Sequence, residues 1–206
     1  MVSSNPTEGT IINKVMLAQV YKNILSPTEI SQLIEYFDNK EISVSKHFGN
    51  DKHIDFDVKD SVCYKLIRPI FDKILGKDYE CCGSAYRETT QPAPLHDDQN
   101  FPHVTKKFNR GFLIPLVEGK EFNTVIFDAV GKPDLVKNLV ENNKLNPNDF
   151  THESLAVQQL ITQLPVDLMF TWKLGDMVSW DTDQLHASTD YSKYGLVKKF
   201  IIFFIE

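Results

Sequence analysis

Histidine and aspartate occur in two places at a spacing suited to metal binding. His53-Ile54-Asp55 and His96-Asp97-Asp98 both follow the pattern His-x-Asp. Residues two apart in an extended segment share one face, and two imidazoles with one carboxylate can occupy one face of a ferrous ion and leave three positions open. Six histidines and 28 acidic residues give about 0.8 chance matches to this pattern. The motif therefore needs support from its surroundings.

The surroundings favour the second pair. His53 and Asp55 precede a predicted helix, in a segment whose pattern indicates a solvated loop. We expect these two residues to be irrelevant to any metal. His96 and Asp98 follow a predicted strand, after Pro92 has ended it.

A third ligand must come from a strand that is adjacent in space. His186 fits this position, because it follows a predicted turn at Gly175-Asp176 and opens a further strand. The sequence thus predicts that His96, Asp98 and His186 are the metal ligands and catalytic residues. The side chain of Asp97 is expected to point away, because neighbours in an extended segment face opposite sides.

The elements that must position these residues are helices first and strands later. Ser26-Pro27-Thr28-Glu29 has a capping residue, proline at the first helical position and glutamate three residues after the cap. A second helix is predicted from near Asp60 to Gly76, with Pro69 inside it as a cause of a kink or a split.

Short β-rich runs follow Gly83. They cover residues 84–90, 111–117, 124–127, 167–173, 176–181 and 199–206. Two helical stretches, 134–143 and 153–163, form a predicted insertion over about 131–165. The pattern predicts a single α+β domain, with N-terminal supporting helices over about 1–83 and a β-core over about 84–206 that is a jelly roll, a cupin-like barrel or another sandwich.

Composition excludes several classes of protein. The chain has 206 residues, a net charge of −6 and three cysteines, so we expect neither nucleic-acid binding nor a disulfide framework or cysteine zinc site. The N-terminal residues show no secretory signal, and no apolar run approaches the roughly 18 residues of a membrane-spanning helix. We therefore expect a cytoplasmic location and no membrane partner.

The ordered set of motifs resembles the double-stranded β-helix oxygenases that use ferrous iron and 2-oxoglutarate. The stretch 172–188 is similar to the strand pair that carries the distal histidine of that family. Its matching residues are Trp172, Gly175, Asp176, Trp180, Asp181, Leu185, His186 and Ser188. The apolar run that follows Lys198-Lys199 is similar to the strand whose cation binds the far carboxylate of 2-oxoglutarate. The resemblance covers about residues 84–206.

The resemblance implies a double-stranded β-helix core and a dioxygenase, in particular a hydroxylase, that uses Fe(II), 2-oxoglutarate and O2, with ascorbate as a reductant. It also implies Lys199 as the cosubstrate cation, because this lysine directly precedes the apolar run. Alternation places Lys198 and Lys199 on opposite faces of the strand, and both faces are apolar, so the pattern alone does not choose between them. Tyr86 is placed like a tyrosine that contacts the cosubstrate in the prolyl-hydroxylase-like branch.

The substrate and two other classes of protein stay open at this point. A prolyl or other peptidyl residue and a small molecule are both compatible with the sequence. A different cupin-type metal enzyme usually draws on more histidines close to the first pair, and this sequence has no His-x-His. A non-catalytic β-barrel ligand-binding module leaves the ordered triad unexplained. The oxygenase is therefore the leading hypothesis.

Overall fold

A computed structural model describes residues 17–40, 43–45, 51–55, 62–93, 95–99, 108–130 and 164–206. The helices predicted at 134–143 and 153–163 lie outside these residues. The described residues form two α-helices and ten strands, and a 3-10 helix (Ser192–Tyr194) precedes the last strand. In chain order they are β1 (Gln19–Tyr21), α1 (Pro27–Asp38), β2 (Ser43–Ser45), β3 (Asp51–Asp55), α2 (Val62–Leu75), β4 (Cys81–Thr89), β5 (Arg110–Pro115), β6 (Asn123–Val130), β7 (Val166–Thr171), β8 (Met177–Asp181), β9 (Gln184–Ser188) and β10 (Lys198–Ile205).

The strands form two antiparallel sheets. The larger sheet has the order β1-β8-β5-β10-β4-β3-β2, and the smaller sheet has the order β7-β6-β9. Leu113 and Trp180 of the larger sheet pack in one buried cluster with Ile126 and Phe170 of the smaller sheet. The space between the two sheets is therefore an apolar interior, called the interior below. The predicted α+β architecture with a two-sheet core is confirmed.

Both helices pack against the opposite face of the larger sheet. Phe37 of α1 and Phe71 of α2 belong to a second buried cluster, and the ring of Phe71 lies 5.2 Å from that of Phe203 on β10. Alternation along β10 directs Ile201, Phe203 and Ile205 to the helices, and Phe200 and Ile202 to the interior. This strand is apolar on both faces because it is covered on both sides.

The two helices begin and continue for local reasons. The Ser26 N–H donates to Glu29 Oε2 at 2.7 Å and the Glu29 N–H donates to Ser26 Oγ at 3.3 Å, so the predicted capping box is confirmed. Helix α2 runs through Pro69. The carbonyl that loses its hydrogen bond there belongs to Lys65, which is exposed, so water can satisfy it. Neither described helix is long and apolar enough to cross a membrane.

Three strands of the N-terminal region were not expected from the sequence. Strand β1 pairs with β8 at one end of the larger sheet, and β2 and β3 extend the other end beyond β4. The segment of His53 and Asp55 is the strand β3, so the predicted loop is wrong. Its backbone lies opposite Arg87 and Ala85 of β4.

Candidate metal centre

His96 and His186 are neighbours across an isolated antiparallel bridge. The His96 N–H donates to the His186 carbonyl at 3.0 Å, and the His186 N–H donates to the His96 carbonyl at 2.8 Å. The centroids of the two imidazole rings are 4.2 Å apart. One pair of backbone hydrogen bonds therefore joins two residues that are distant in sequence and places their side chains together.

Asp98 completes the group. Its N–H donates to the Thr182 carbonyl at 3.0 Å, which fixes its segment beside the turn between β8 and β9. The Asp98 Oδ1 atom lies 3.7 Å from His186 Nε2, and one ligand atom from each of His96, Asp98 and His186 lies within 4.8 Å of the others. The structure thus brings together the three residues that the sequence pattern selects. Asp97 is not part of this group, and its Oδ1 accepts the Gln99 N–H at 3.0 Å.

The protonation states of His186 and Asp98 follow from their surroundings. His186 is 5% exposed, and burial lowers its pKa to about 4. Its Nδ1 lies 3.0 Å from the Gln184 carbonyl, which can only accept, so Nδ1 carries the proton and Nε2 presents a lone pair. Burial of Asp98 raises the pKa of its carboxyl to about 6, against the opposing charges of His96 and Arg87.

This donor set fits a divalent transition metal. The Nε2 lone pair of His186 and the carboxylate of Asp98 face each other inside the protein, and without a cation between them two electron-rich atoms would repel in a medium of low dielectric constant. Two imidazoles and one carboxylate on one face are the ligands that ferrous iron takes in non-heme oxygenases, and they leave positions open for other ligands.

Trp180 contacts two members of the group. Its indole Nε1–H donates to Asp98 Oδ2 at 2.8 Å, and its ring lies 4.9 Å from the ring of His186. Trp180 is buried in the cluster between the two sheets. The hydrogen bond was not predictable, because Asp98 is far away in the sequence.

Lys198 is a cation that enters the interior beside this group. It is 3% exposed, and its Nζ donates to Ser188 Oγ at 2.6 Å. Ser188 lies two residues after His186 on β9, so the two side chains share a face. The ammonium also lies 4.1 Å from the centroid of the Trp172 ring. Burial lowers the pKa of Lys198 to about 7.

The expected orientation of Lys199 is wrong. This side chain shares the helix-facing side of β10, where its Nζ lies 3.3 Å from Asp38 Oδ1 of α1 and 3.4 Å from Glu88 Oε1 of β4. The physical reason is the register of β10, which directs the odd-numbered residues to the helices.

Tyr86 also lies on the helix-facing side of the sheet, and its predicted place beside the cosubstrate cation of the interior is corrected with that of Lys199. Its ring stacks on Phe37 with centroids 4.4 Å apart. Its hydroxyl donates to Glu88 Oε1 at 2.6 Å. Tyr86 therefore joins the larger sheet to α1 rather than lining the interior.

Comparison with known proteins finds similarity in structure but none in sequence. No protein-family model matches the sequence, and a search of curated proteins finds no match. Among solved structures, HygX from Streptomyces hygroscopicus with nickel and 2-oxoglutarate bound is 10% identical, with a TM-score of 0.60 over 91% of this chain and 82% of that chain. The non-heme alpha-ketoglutarate-dependent carbocyclase SnoK from nogalamycin biosynthesis is 12% identical, with a TM-score of 0.59 over 91% and 78%. A Pseudomonas putida prolyl-4-hydroxylase is 10% identical, with a TM-score of 0.53 over 92% and 91%.

These similarities establish the fold. The chain has the double-stranded β-helix of the 2-oxoglutarate oxygenases, as the family resemblance implies, and the structural similarity extends to a prolyl-4-hydroxylase. At identities near one residue in ten, the shared property is the architecture. The chemistry must be argued from the residues of this chain.

Proposed function

We propose that this chain is an Fe(II)- and 2-oxoglutarate-dependent oxygenase that hydroxylates an organic substrate. One observation carries the proposal: a His-Asp-His group, of which Asp98 and His186 are buried, and a buried lysine ammonium lie in the same interior, joined through one strand. His186 and Ser188 both lie on β9, and Ser188 accepts the hydrogen bond of Lys198. An oxygenase of this class needs both a metal site and a cation for its cosubstrate.

His96, Asp98 and His186 are proposed as the iron ligands. Iron would supply the site where O2 and 2-oxoglutarate react, so that decarboxylation to succinate and CO2 is coupled to oxidation of a substrate C–H bond. This chain's residues support that chemistry by their protonation. His186 stays neutral at ordinary pH because burial lowers its pKa to about 4, and the Asp98 carboxyl is mostly ionised above its pKa of about 6.

Lys198 is proposed as the partner of the far carboxylate of 2-oxoglutarate. Within the part of the chain that the structure describes, no carboxylate forms an ion pair with this ammonium, and its one hydrogen bond goes to Ser188. A buried charge without an opposite charge is costly, so a bound carboxylate would stabilise it. Because Ser188 accepts from Lys198, its own hydroxyl proton is available to the same carboxylate.

The structurally similar proteins support the proposal but do not identify the substrate. HygX was crystallised with nickel, 2-oxoglutarate and hygromycin B, and the Pseudomonas putida protein is a prolyl-4-hydroxylase. Proteins of similar structure therefore include one that binds a small molecule and one that is a prolyl-4-hydroxylase. Hydroxylation of a small molecule or of a peptidyl residue such as proline is the reaction proposed here, with ascorbate as an accessory reductant.

The experiment is an anaerobic titration of the purified protein with ferrous iron and 2-oxoglutarate. We expect a weak visible charge-transfer band that requires both additions. Asp98→Ala should abolish the band, whereas Asp97→Ala, which removes the adjacent carboxylate outside the ligand group, should retain it. Absence of the band in the unmodified protein, with no measurable metal binding, would refute the proposed function.

A further inference from the structure

The two oxygens of Asp98 have different surroundings. Oδ1 faces the ligand group, 3.7 Å from His186 Nε2. Oδ2 accepts the Trp180 indole N–H at 2.8 Å. Trp180 is 1% exposed, so water does not compete for this hydrogen bond. Because indole nitrogen can only donate, the arrangement holds one orientation of the carboxylate.

A glycine makes room for this indole. Gly111 of β5 lies directly opposite Trp180 of β8 in the larger sheet. A Cβ atom at Gly111 would lie 2.9 Å from Trp180 Cε2 and 3.1 Å from the indole Nε1. Gly111 is not among the described glycines with positive φ, so its requirement is space rather than backbone conformation. Any side chain there would displace the indole N–H.

We propose that Trp180 is a positioning residue that keeps Asp98 a one-oxygen metal ligand, and that Gly111 is required for this role. The inference rests on the proposed function. A carboxylate can bind a metal through one oxygen or two. A six-coordinate ion with three one-atom protein ligands has three open positions, and a second Asp98 oxygen would occupy one of them. The hydrogen bond to Oδ2 therefore preserves the position that a third exogenous ligand needs.

The test uses Co(II) as the probe, in the absence of 2-oxoglutarate and oxygen. Trp180→Phe keeps an aromatic ring and removes the N–H. We expect its Co(II) dissociation constant to rise about 10- to 100-fold, the usual cost of losing such a supporting contact. We also expect its visible Co(II) spectrum to change, because the carboxylate can then bind through both oxygens. Trp172→Phe is the matched control, since Trp172 is equally buried but donates to Thr124 Oγ1 at 3.0 Å.

A second pair of variants tests the same idea without altering the tryptophan. Gly111→Ala should weaken Co(II) binding and change the spectrum in the same direction as Trp180→Phe. Gly83→Ala should do neither, because a Cβ at Gly83 meets Phe204 at an ordinary 3.6 Å. If Trp180→Phe does not fold, the comparison of Gly111→Ala with Gly83→Ala tests the positioning role instead. Weaker Co(II) binding and a changed spectrum in Gly111→Ala alone support the role, and equal affinities and spectra overturn it.

The outcomes separate the inference from the proposed function. Weakened binding and a changed spectrum in Trp180→Phe and Gly111→Ala, with both controls unchanged, support the positioning role. If Trp180→Phe binds Co(II) with unchanged affinity and an unchanged visible spectrum, the positioning role is overturned, while the metal site remains. An unmodified protein that binds no Co(II) defeats the proposed function itself, and the positioning role with it.

Discussion

At the scale of single residues, two adjacent lysines have opposite surroundings. The Lys198 ammonium is buried among the rings of Trp172, Tyr191 and Phe200, with its Nζ 4.1 Å, 5.6 Å and 5.7 Å from their centroids. Lys199 is partly exposed and has two carboxylate partners. A third carboxylate adds little electrostatic stabilisation to a lysine that is already paired with two. A buried ammonium without a carboxylate partner is stabilised strongly by one. Lys198 is therefore the residue suited to a dicarboxylate ligand.

Removal of Lys198 should weaken 2-oxoglutarate binding strongly. Breaking a buried ion pair by removing one partner costs about 3–5 kcal/mol, and each 1.4 kcal/mol is about tenfold in affinity. We expect Lys198→Met to raise the 2-oxoglutarate dissociation constant at least about 100-fold in Mn(II)-loaded protein, measured by calorimetry. Lys199→Ala is the control and should change it less than about threefold. The opposite ranking would show that the cosubstrate does not enter the interior.

The affinity for 2-oxoglutarate should also depend on pH. Burial lowers the pKa of Lys198 to about 7 in the free protein, and a bound carboxylate raises it again, so binding takes up a proton above pH 7. The apparent dissociation constant should therefore rise about tenfold between pH 7 and 8.5. The measurement is a pH series on protein saturated with Mn(II), and Lys198→Met should lose this slope. A flat profile in the unmodified protein would contradict the assignment.

The grouping of His96, Asp98 and His186 was predictable from the sequence, and the orientation of the two lysines was not. Type and spacing select His96, Asp98 and His186 because His-x-Asp is a local pattern with a second histidine in a recognisable context. The choice between Lys198 and Lys199 depends on which face of β10 meets the helices. Both faces of that strand are apolar, so alternation carries no information about orientation. The contact of Trp180 with Asp98 likewise depends on tertiary structure.

At the scale of elements, the turn between β7 and β8 anchors the N-terminal segment to the core. The Gly175 carbonyl accepts the N–H groups of Ile24 and Leu25 at 2.7 Å and 3.3 Å. Asp176 is fully buried and accepts from Lys22 Nζ and from the Asn23 N–H, each at 2.9 Å. This turn therefore fixes the connection between β1 and α1, the helix that covers the larger sheet.

Two glycines with nearly equal φ allow the contribution of this contact to the free energy of unfolding to be measured. Gly175 has φ +84° and Gly76 has φ +83°, but a Cβ at Gly175 would lie 2.7 Å from the Leu25 carbonyl oxygen, while a Cβ at Gly76 meets nothing within 4 Å. Gly76→Ala should cost about 1 kcal/mol from backbone strain alone. Gly175→Ala should cost about 3 kcal/mol, because the contact with Leu25 and its hydrogen bonds must also give way. Urea unfolding measures both, and equal losses would contradict the anchoring role.

The elements that local sequence features determine were predicted. The short strands that depend on pairing with other parts of the chain were missed. Helix α1 follows from the Ser26–Glu29 capping box, and the turn at Gly175-Asp176 follows from its residue types. Strand β1 has three residues and exists because β8, far along the chain, offers it an edge. Strands β2 and β3 likewise depend on pairing with β4. Segments this short carry too little periodicity to be identified from the sequence.

At the scale of the whole molecule, the group of His96, Asp98 and His186 brings together both sheets and the segment that follows β4. His186 belongs to β9 of the smaller sheet, and His96 and Asp98 belong to the segment that follows β4. Trp180, which holds Asp98, belongs to β8 of the larger sheet. A metal bound here would join both sheets and the connecting segment. Its binding free energy should therefore stabilise the global fold rather than one loop.

Ligand binding should accordingly raise the temperature of unfolding. A ligand present at 100 times its dissociation constant adds about 2.7 kcal/mol to the free energy of unfolding, which corresponds to roughly 5–10 °C for a chain of this size. We expect this increase, by calorimetry, when Mn(II) and 2-oxoglutarate are added together, and its reversal when the metal is chelated.

Asp98→Asn is the matched variant for this measurement, because the amide keeps an oxygen that can accept the Trp180 N–H and loses the charge that a metal requires. Without ligands, we expect this variant to unfold at or above the temperature of the unmodified protein. The substitution removes a buried carboxylate whose raised pKa, about 6, shows that burial disfavours its charge. With Mn(II) and 2-oxoglutarate it should show no increase. An equal increase in both proteins would mean that the ligands bind elsewhere, since the variant lacks the charge on which the metal site depends.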